Sequence, residues 1–588
     1  MGPGTSGGRQ AGGVIFQERA ERWVPRPGVL VVVKGRVAGG APFEGHLVDL
    51  SQSGCQFLIL SGQLHRKQAV EEVVLAGGAE TPARPLGGTV AWVEALGPGR
   101  LLVGAIRFAA AQPELLAGLR DQLVHPSYRR DGLDTLPVGY QNVDFDLDTR
   151  SPLVEFYRCD SPDLLQKCRE FSRVIDVMQQ QHLFQVLFRT TTTSRIDRRV
   201  VVANPLTRRE QEMINFDGGS PLGLHLHPRV IERVRAVLDQ AGAGSPVWPQ
   251  GSGSTSHLRD LEEILCRFHG REDAMVFPSG YTACLGVIRG LVRSDDLVVR
   301  DSYSLAAIQD GCRVADARSA RIYPHLDMAA LEGILREAAN DRELQGRLVA
   351  SDGVFPLTGR VAPLADLVRI AKAHGASLLV AEGAGAGVLG PTGRGLEEQS
   401  GLPGAVDVLV GSFGQAAGMM GGYVTGSRAL ISYLRFFANP GIFTTAMPAH
   451  VCAGVTEAYR VMMEEPEHRE RLWKNIRALG PALGSAGFLV SDPTSPFLTV
   501  FLGADRLARA FTAELFARGI RVGAVTYPSV PAGEALLRFS VSARHVAEDL
   551  EAAVRAMTEL GRTYGILCRS AVETREIGER AQVPTPLT

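Results

Sequence analysis

The chain has 588 residues, which are too many for one compact core and predict two or three domains. Its apolar share of 45% and charged share of 21% are typical of a globular protein. A formal net charge of −1 argues against nucleic acid or an anionic membrane surface as the main partner. No apolar run approaches the roughly 20 residues that a membrane helix needs.

The N-terminus and the cysteines both point to the cytoplasm. The opening stretch MGPGTSGGRQAGG is Gly-rich, and no apolar segment of a signal peptide follows it. The eight cysteines are scattered without CxxC pairs, so they are expected to be buried thiols in a reducing compartment. We therefore expect a cytoplasmic protein without a membrane span.

In chain order, a flexible segment (1–20) precedes a small all-β region (21–124). Its predicted strands are VLVVVKGRV, FEGHLVDLS, CQFLIL, EEVVLA, GGTVAWVE and RLLVGAIRF. Gly/Pro turns separate these strands, a pattern typical of a small β-barrel. Residues 125–155 are rich in turn formers and predict a linker.

Helices and strands alternate in the remaining chain, as in the strand ASLLVAE and the helix DRLARAFTAELFARG. This alternation predicts a multidomain protein in which an α/β domain with a parallel sheet follows the barrel. We place an N-terminal segment and the large α/β domain at 156–450 and a smaller α+β subdomain at 451–566. The polar residues 567–588 predict a flexible tail.

Two motifs flank the predicted barrel strands. Arg22 and Arg26 form an RxxxR pattern in RWVPR, and DLSQSG supplies Asp49, Ser51 and Gly54. Guanidinium groups bind phosphates and the O6/N7 edge of guanine bidentately, aspartate and serine bind the polar edges of guanine, and glycine permits a tight turn. The segment resembles the PilZ domain, and the resemblance implies that it binds cyclic di-GMP. The alternative is a purely structural barrel, in which RxxxR is a solvated basic pair and DLSQSG an ordinary turn.

The second domain resembles the α-oxoamine synthases, which are fold-type I pyridoxal-phosphate-dependent enzymes of the aminotransferase class I/II superfamily. The resemblance runs from INFDGGSPLGLHLHP through SDGVFPLTGRVAPLADLVRIAKAHGASLLVAEGAGAGVLGPTGRG to EALLRFSVSARH. It implies the fold-type I transferase fold with a smaller C-terminal subdomain. It also implies a homodimer with its sites at the subunit interface.

Four positions depart from the pattern of that family. Gln415 replaces the Schiff-base lysine of the loop GSFGQAAG, and Ala381 and Ala384 replace an aspartate and a histidine in VAEGAG. Leu305 stands where the family has a histidine that stacks on the cofactor ring. A carboxamide is not an amine nucleophile, so these changes predict a pseudoenzyme in which covalent pyridoxal phosphate is not expected. Trp248 also lies where family members usually have an arginine.

Other positions keep the residues that the resemblance implies for a cofactor and substrate pocket. They are Ser279, Gly280, Tyr281, Glu382, Ser412, Thr444, Thr445 and Arg538. A noncovalent phosphate or carboxylate ligand and a purely structural role are both compatible with these residues. No metal is expected, because His225, His227 and His257 show no ligand spacing.

The sequence therefore predicts a cyclic di-GMP-responsive signalling protein that acts as a homodimeric pseudoenzyme on a protein partner. The alternative is an active acyltransferase or amino-acid-modifying enzyme of the same cofactor family, regulated by cyclic di-GMP. A scaffold without either ligand is a third possibility.

Overall fold

The computed structural model describes the strands before residue 125 by their backbone and most of the chain from residue 190 onward in full. The described residues beyond the first eight strands are 163, 165–169, 171–172, 190–203, 210–315, 319–527 and 529–580. The chain divides into two compact units. One holds 1–190, 203–210 and 584–588, and the other holds 191–202 and 211–583.

Six strands of the first unit form a closed barrel in the order β2-β3-β4-β7-β6-β5, with antiparallel neighbours. These strands are β2 (Val31–Val37), β3 (Pro42–Ser51), β4 (Gly54–Ser61), β5 (Ala69–Gly77), β6 (Pro85–Ala95) and β7 (Leu102–Phe108). The short strands β1 (Val24–Pro25) and β8 (Leu123–Val124) pair with each other. Each of the six strands that the sequence predicted overlaps one barrel strand, whereas the predicted N-terminal segment 1–20 and linker 125–155 lie outside the described residues.

A seven-stranded sheet forms the centre of the second unit, in the order β12-β18-β17-β16-β15-β13-β14. Its strands are β12 (Asp273–Phe277), β13 (Leu297–Asp301), β14 (Ser319–Tyr323), β15 (Arg347–Asp352), β16 (Ser377–Ala381), β17 (Val408–Ser412) and β18 (Gly422–Gly426). All neighbours are parallel except β18, which is antiparallel to both of its partners. Successive residues of its central strands enter two different apolar cores, as Val380 and Leu379 do. The sheet is therefore covered on both faces, as predicted for an α/β domain.

Between residues 228 and 580, the described part of the chain forms fourteen α-helices, which are numbered in chain order. They are α1 (Pro228–Ala241), α2 (Ser256–His269), α3 (Gly280–Leu291), α4 (Ala306–Val314), α5 (Met328–Ala338), α6 (Leu364–Ala373), α7 (Leu396–Gln399), α8 (Arg428–Phe437), α9 (Asn439–Ile442), α10 (Ala449–Glu464), α11 (Glu467–Ser485), α12 (Asp505–Ala517), α13 (Ala547–Thr563) and α14 (Ala571–Arg580). Apolar side chains at helical spacing, such as Leu261, Leu265 and Phe268 of α2, are buried.

Two smaller sheets complete the second unit. One is antiparallel, in the order β19-β22-β21, and the other has the order β20-β11-β10-β9. Their strands are β9 (Thr191–Thr192), β10 (Arg199–Ala203), β11 (Glu210–Asn215), β19 (Phe497–Gly503), β20 (Ile520–Arg521), β21 (Gly523–Val525) and β22 (Ala535–Ser540). Strand β11 pairs in parallel with β20, so part of the segment assigned to 156–450 joins a sheet of the predicted subdomain 451–566. A two-residue strand such as β20 needs a partner for its backbone groups, and local sequence does not identify that partner.

The predicted tail 567–588 is corrected over part of its length, since Ala571–Arg580 forms α14. Ser570 and Glu573 make reciprocal contacts at its start. The Ser570 amide donates to the Glu573 carboxylate at 2.8 Å, and the Glu573 amide donates to Ser570 Oγ at 3.3 Å. Arg575 lies over the ring of Phe501, 5.3 Å from its centroid. The sequence contains the helix-capping pattern S-x-x-E in SAVE, which indicates a helix start. The polar composition of the segment suggested a flexible tail instead.

Among the helices that the structure describes, none combines the length and the apolarity that a membrane crossing requires.

Candidate functional site

Three neighbouring parallel strands end at the same edge of the large sheet. They end on Asp352, Ala381 and Ser412, and Asp352 lies in register with Ala381. Ala350 and Leu379 lie two positions before Asp352 and Ala381 and pack in one apolar core. Side chains two positions apart on a strand point to the same face of the sheet, so the terminal side chains lie on the face that this core covers. In open α/β sheets, ligands bind at the carboxyl ends of the strands.

The start of α3 lies against this edge. Ser279 caps the helix: its Oγ accepts from the Thr282 amide at 3.1 Å, and Thr282 Oγ1 accepts from the Ser279 amide at 3.0 Å. Gly280 is required by close approach, because a Cβ there would lie 2.6 Å from Ser412 Cβ. The structure thus brings Ser279, Gly280 and Ser412 together, and the helix N-terminus favours an anion there.

Tyr281 follows this turn but is otherwise engaged. Its side chain is largely exposed, and its hydroxyl donates to Asp310 on α4. The structure therefore gives Tyr281 a contact between two helices, and only its backbone belongs to the turn.

Three of the positions that differ from the family pattern, Leu305, Ala381 and Ala384, belong to two different apolar cores. Leu305 precedes α4 and packs against the core that contains Ala381. Its amide donates to Asp352 Oδ2 at 3.0 Å. Ala384 is buried in the other core. Leu305 and Ala381 thus belong to one apolar core at the sheet edge, which we call the apolar wall, and Ala384 does not contribute to it.

Glu382 faces away from that wall. Its side chain is 1% exposed, and neither carboxyl oxygen has a hydrogen-bond partner. Glycines surround it, since a Cβ on Gly353 would lie 2.8 Å from Oε2 and one on Gly385 would lie 1.7 Å from Oε1. Burial raises the pKa of Glu382 to about 8. Glu382 is thus an enclosed and mostly neutral carboxyl group at pH 7.

The loop that contains Gln415 keeps a tight shape. The Gln415 carbonyl accepts from the Gly418 amide at 3.1 Å, and Gly418 has φ +66°. A Cβ at Gly418 would lie 2.6 Å from Ser220 Oγ, so glycine is required there for both conformation and space. Gln415 Oε1 is buried without a hydrogen-bond partner.

Arg538 lies on β22 and is held by weak polar contacts. One guanidinium nitrogen lies 3.6 Å from Asp217 Oδ1, and another donates to the Pro356 carbonyl at 3.4 Å. The guanidinium carbon lies 5.6 Å from the centroid of Phe497, and Nε has no hydrogen-bond partner. Arg538 therefore keeps donor capacity for a carboxylate.

Thr444 and Thr445 lie in the loop before α10. The next residue, Ala446, donates its amide to the Val247 carbonyl at 2.8 Å. Trp248, which follows Val247, is 55% exposed. The structure thus places the threonine loop beside the segment that lacks the family arginine, and it shows no contact of either threonine with Ser412.

Sequence reasoning missed Asp352 as a residue of this site. Asp352 is fully buried, and its Oδ1 has no hydrogen-bond partner. Burial raises its pKa well above the ordinary value, although the Leu305 amide opposes this shift. The available signal was an aspartate at the end of a buried strand, in the quoted block SDGVF.

The residues at the sheet edge fit only part of pyridoxal phosphate, the cofactor that the family resemblance implies. The turn Ser279–Tyr281 with Ser412 fits a phosphate group. The wall formed by Leu305 and Ala381 does not fit the pyridine ring's need for a carboxylate at its nitrogen, because both side chains are apolar. We therefore derive no catalytic step through this cofactor.

Residues 211–557 match the family of aminotransferases of class I and II. The 8-amino-7-oxononanoate synthase 1 of Bacillus subtilis is 34% identical over 362 residues, which cover 62% of this chain and 91% of that protein. The mitochondrial 2-amino-3-ketobutyrate coenzyme A ligase of Bos taurus is 38% identical over 356 residues, covering 60% of this chain and 84% of that protein.

Solved structures of related enzymes also match this chain in fold. A structure of SPT with pyridoxal phosphate as an internal aldimine is 30% identical with a TM-score of 0.64, covering 69% of this chain and all of that one. The serine palmitoyltransferase of Sphingomonas wittichii is 29% identical with the same coverage and a TM-score of 0.64.

The comparisons contradict the prediction that covalent pyridoxal phosphate is not expected. The SPT structure carries the cofactor as an internal aldimine, which is a covalent state. The prediction rested largely on Gln415, whereas Ser279 and Ser412 meet at the start of α3, where a helix N-terminus favours an anion with or without that lysine. The prediction is withdrawn, and the function proposed below does not depend on it.

The family match, the seven-stranded sheet and the relatives all indicate the same family. Over residues 211–557 the chain belongs to the aminotransferase class I and II family, with α-oxoamine synthases among its relatives.

Proposed function

We propose that this chain is a cyclic di-GMP-responsive signalling protein. In this proposal the α-oxoamine-synthase-like domain is a homodimeric interaction module that does not catalyse the condensation of its relatives. The main support for the absence of catalysis is the apolar wall formed by Leu305 and Ala381 at the sheet edge. It lies where the family resemblance implies a ring-stacking histidine and a charged aspartate.

Charge at this edge argues against turnover. When bound, pyridoxal phosphate supplies an electron sink, and a nearby carboxylate keeps its ring nitrogen protonated. The side chain of Ala381 has no charge. The carboxyl group that could take its place is that of Asp352, which is buried and lies in register with Ala381 on the neighbouring strand. Burial raises the pKa of Asp352 and so opposes its ionisation, which makes it a poor replacement for the missing negative charge.

The backbone of the barrel supports the receptor part of the proposal. Strand β1 lies in sequence between Arg22 and Arg26, which are outside the described residues, and its Cα atoms come within 8 Å of β3. Strand β3 contains Asp49 and ends on Ser51, which pairs with Gly54 at the start of β4. The strand between the two arginines in sequence thus lies near the strand that carries Asp49 and Ser51, as a shared nucleotide site would require.

Exposed apolar side chains support the homodimer. Met420, in the loop that contains Gln415, is 70% exposed, and Phe443, beside Thr444, is 81% exposed. Phe436 and Trp248 are 67% and 55% exposed. Large apolar groups on a surface mark interaction sites, and a two-fold axis buries the same patch on both subunits.

Titration calorimetry of the full chain with cyclic di-GMP tests the receptor part. We expect saturable binding that weakens at least about tenfold in Arg22→Ala and Arg26→Ala, since a bidentate guanine contact contributes about 1–3 kcal/mol. Arg26→Lys is the matched control for charge, and it should not restore affinity because an ammonium lacks the planar fork. Absence of heat in wild type, or equal affinity in wild type and Arg26→Ala, would disprove the receptor.

A separate assay tests the pseudoenzyme part. The full chain is supplied with pyridoxal phosphate, an amino acid (glycine, alanine or serine) and acyl coenzyme A, and free coenzyme A is followed by mass spectrometry. We expect no release above the protein-free control, and little from Gln415→Lys alone because Leu305 and Ala381 remain. Turnover by wild type would overturn the pseudoenzyme and support the alternative of a regulated acyltransferase.

A further inference from the structure

Three side chains that are distant in sequence meet on the second unit, away from the sheet edge described above. His227 lies in the turn before α1, Glu465 follows α10, and His468 lies in the first turn of α11. His227 Nε2 lies 3.2 Å from Glu465 Oε2, and His468 Nε2 lies 3.4 Å from the same oxygen. One potential ligand atom from each residue falls within 4.8 Å of the other two.

These distances match those of a tetrahedral metal site. With metal–ligand bonds of about 2.1 Å, tetrahedral ligand atoms are about 3.4 Å apart. The two nitrogen–oxygen separations, 3.2 and 3.4 Å, are close to this value, and the remaining pair of ligand atoms lies within 4.8 Å. The ring planes of His227 and His468 are 75° apart with centroids at 5.4 Å, so the rings do not block each other.

The surroundings favour a cation over a simple ion pair. The side chains of His227, Glu465 and His468 are only 14%, 25% and 17% exposed. Arg229 contacts three carboxylates and Arg460 contacts one of them, so this group has one more negative than positive charge. Those carboxylates are Glu457, Glu464 and Glu465.

We propose that His227, Glu465 and His468 bind a divalent transition metal ion of the zinc class. Two imidazoles and one carboxylate suit zinc, whereas magnesium and calcium prefer oxygen ligands. Arg229 holds the other carboxylate oxygen, Oε1, at 2.9 Å and so orients Glu465. The ion would join the chain before α1 to the junction of α10 and α11 and leave a fourth position for solvent.

In this structure, the contact of Arg471 with His468 opposes metal binding by that histidine. Its guanidinium donates to His468 Nδ1 at 2.9 Å, so the neutral ring carries its proton on Nε2. Metal binding at Nε2 moves that proton to Nδ1, and Arg471, which is exposed, must then turn away. The proposal therefore makes a specific prediction, that Arg471→Ala strengthens metal binding.

The test uses the full chain without an affinity tag, freed of metal with a chelator and titrated with Co²⁺ and then Zn²⁺. We expect one equivalent of Co²⁺ to produce visible tetrahedral absorption bands that Zn²⁺ abolishes. His227→Ala, His468→Ala and Glu465→Gln should each weaken binding at least tenfold. His374→Ala is the matched control, because His374 has the same 17% exposure as His468 and also lies near a glutamate. It should bind like wild type.

A second measurement separates binding from folding. Zn²⁺ should raise the thermal midpoint of wild type and of His374→Ala, and should not raise that of His468→Ala. Where His227→Ala fails to fold, His468→Gln decides, since His468 lies in the first turn of α11 and glutamine keeps a polar side chain of similar size. Saturable metal binding of equal affinity in wild type and His468→Gln, or no saturable binding in wild type, would overturn the proposal.

Discussion

Ala381 and Glu382 are adjacent in sequence and have opposite environments. Ala381 ends β16 and packs toward the edge that holds Ser412, whereas Glu382 is enclosed by glycines on the other side. The side-chain alternation of a strand explains this difference. At the residue scale, Glu382 therefore acts as a buried neutral group, and the loss at 381 is not compensated by its neighbour.

This environment predicts a pH dependence of stability. The pKa of Glu382 rises from 4.5 to about 8 on folding. Between these values the folded chain keeps a proton that the unfolded chain has lost, so this group lowers the free energy of unfolding as pH rises through that window. Below the unfolded pKa the group is neutral in both states and has no such effect.

Glu382→Gln removes the titration, so the variant should lose less unfolding free energy than wild type between about pH 5 and pH 8. Guanidinium unfolding at both pH values measures this difference. Glu551→Gln is the control, since that side chain is 68% exposed and should leave the pH dependence unchanged. An identical pH dependence in wild type and Glu382→Gln would contradict the assignment.

At the element scale, the start of α3 is defined by the contact between Gly280 and Ser412. Gly280→Ala places a methyl group 2.6 Å from Ser412 Cβ and should destabilise the chain by about 1–3 kcal/mol. Gly484→Ala in α11 is the matched control. A Cβ there meets nothing within 4 Å, and alanine should stabilise that helix by about 0.5–1 kcal/mol. Urea unfolding of both variants checks the opposite signs.

The C-terminal helix α14 depends on its first residues. Ser570→Ala removes the oxygen that accepts from the Glu573 amide and should cost about 1 kcal/mol of helix stability. Hydrogen exchange of the amides in 571–580 should become faster. Ser570→Asp keeps an acceptor at that position and should retain slow exchange. Equal exchange in Ser570→Ala and wild type would show that the cap does not stabilise α14.

At the scale of the whole molecule, the proposed homodimer requires that the exposed apolar groups become covered. The full chain should sediment as a dimer at micromolar concentration. Met420→Asp together with Phe443→Asp should shift it toward the monomer, because charge at a buried interface is costly. Val572→Asp is the control, since Val572 is 60% exposed on α14, an element that contains neither Met420 nor Phe443. A monomeric wild type would contradict the homodimer.

The sequence by itself determined the six barrel strands, the α/β class and the family of residues 211–557. These features depend on local periodicity, on turn residues and on blocks of letters in a preserved order. The altered positions Gln415, Ala381, Ala384 and Leu305 were likewise visible as single letters. The PilZ identity of the barrel, read from the same kind of motif, stays a prediction.

Only the tertiary structure decided which of those residues meet. Ser279, Gly280 and Ser412 come together because α3 starts at the edge where β17 ends, whereas Tyr281 and Ala384 turn elsewhere. His227 and His468 are 241 positions apart, and no spacing rule joins them before α1 and α11 are packed. Burial, which raises the pKa of Asp352 and Glu382, likewise depends on surrounding chain segments that lie far away in sequence.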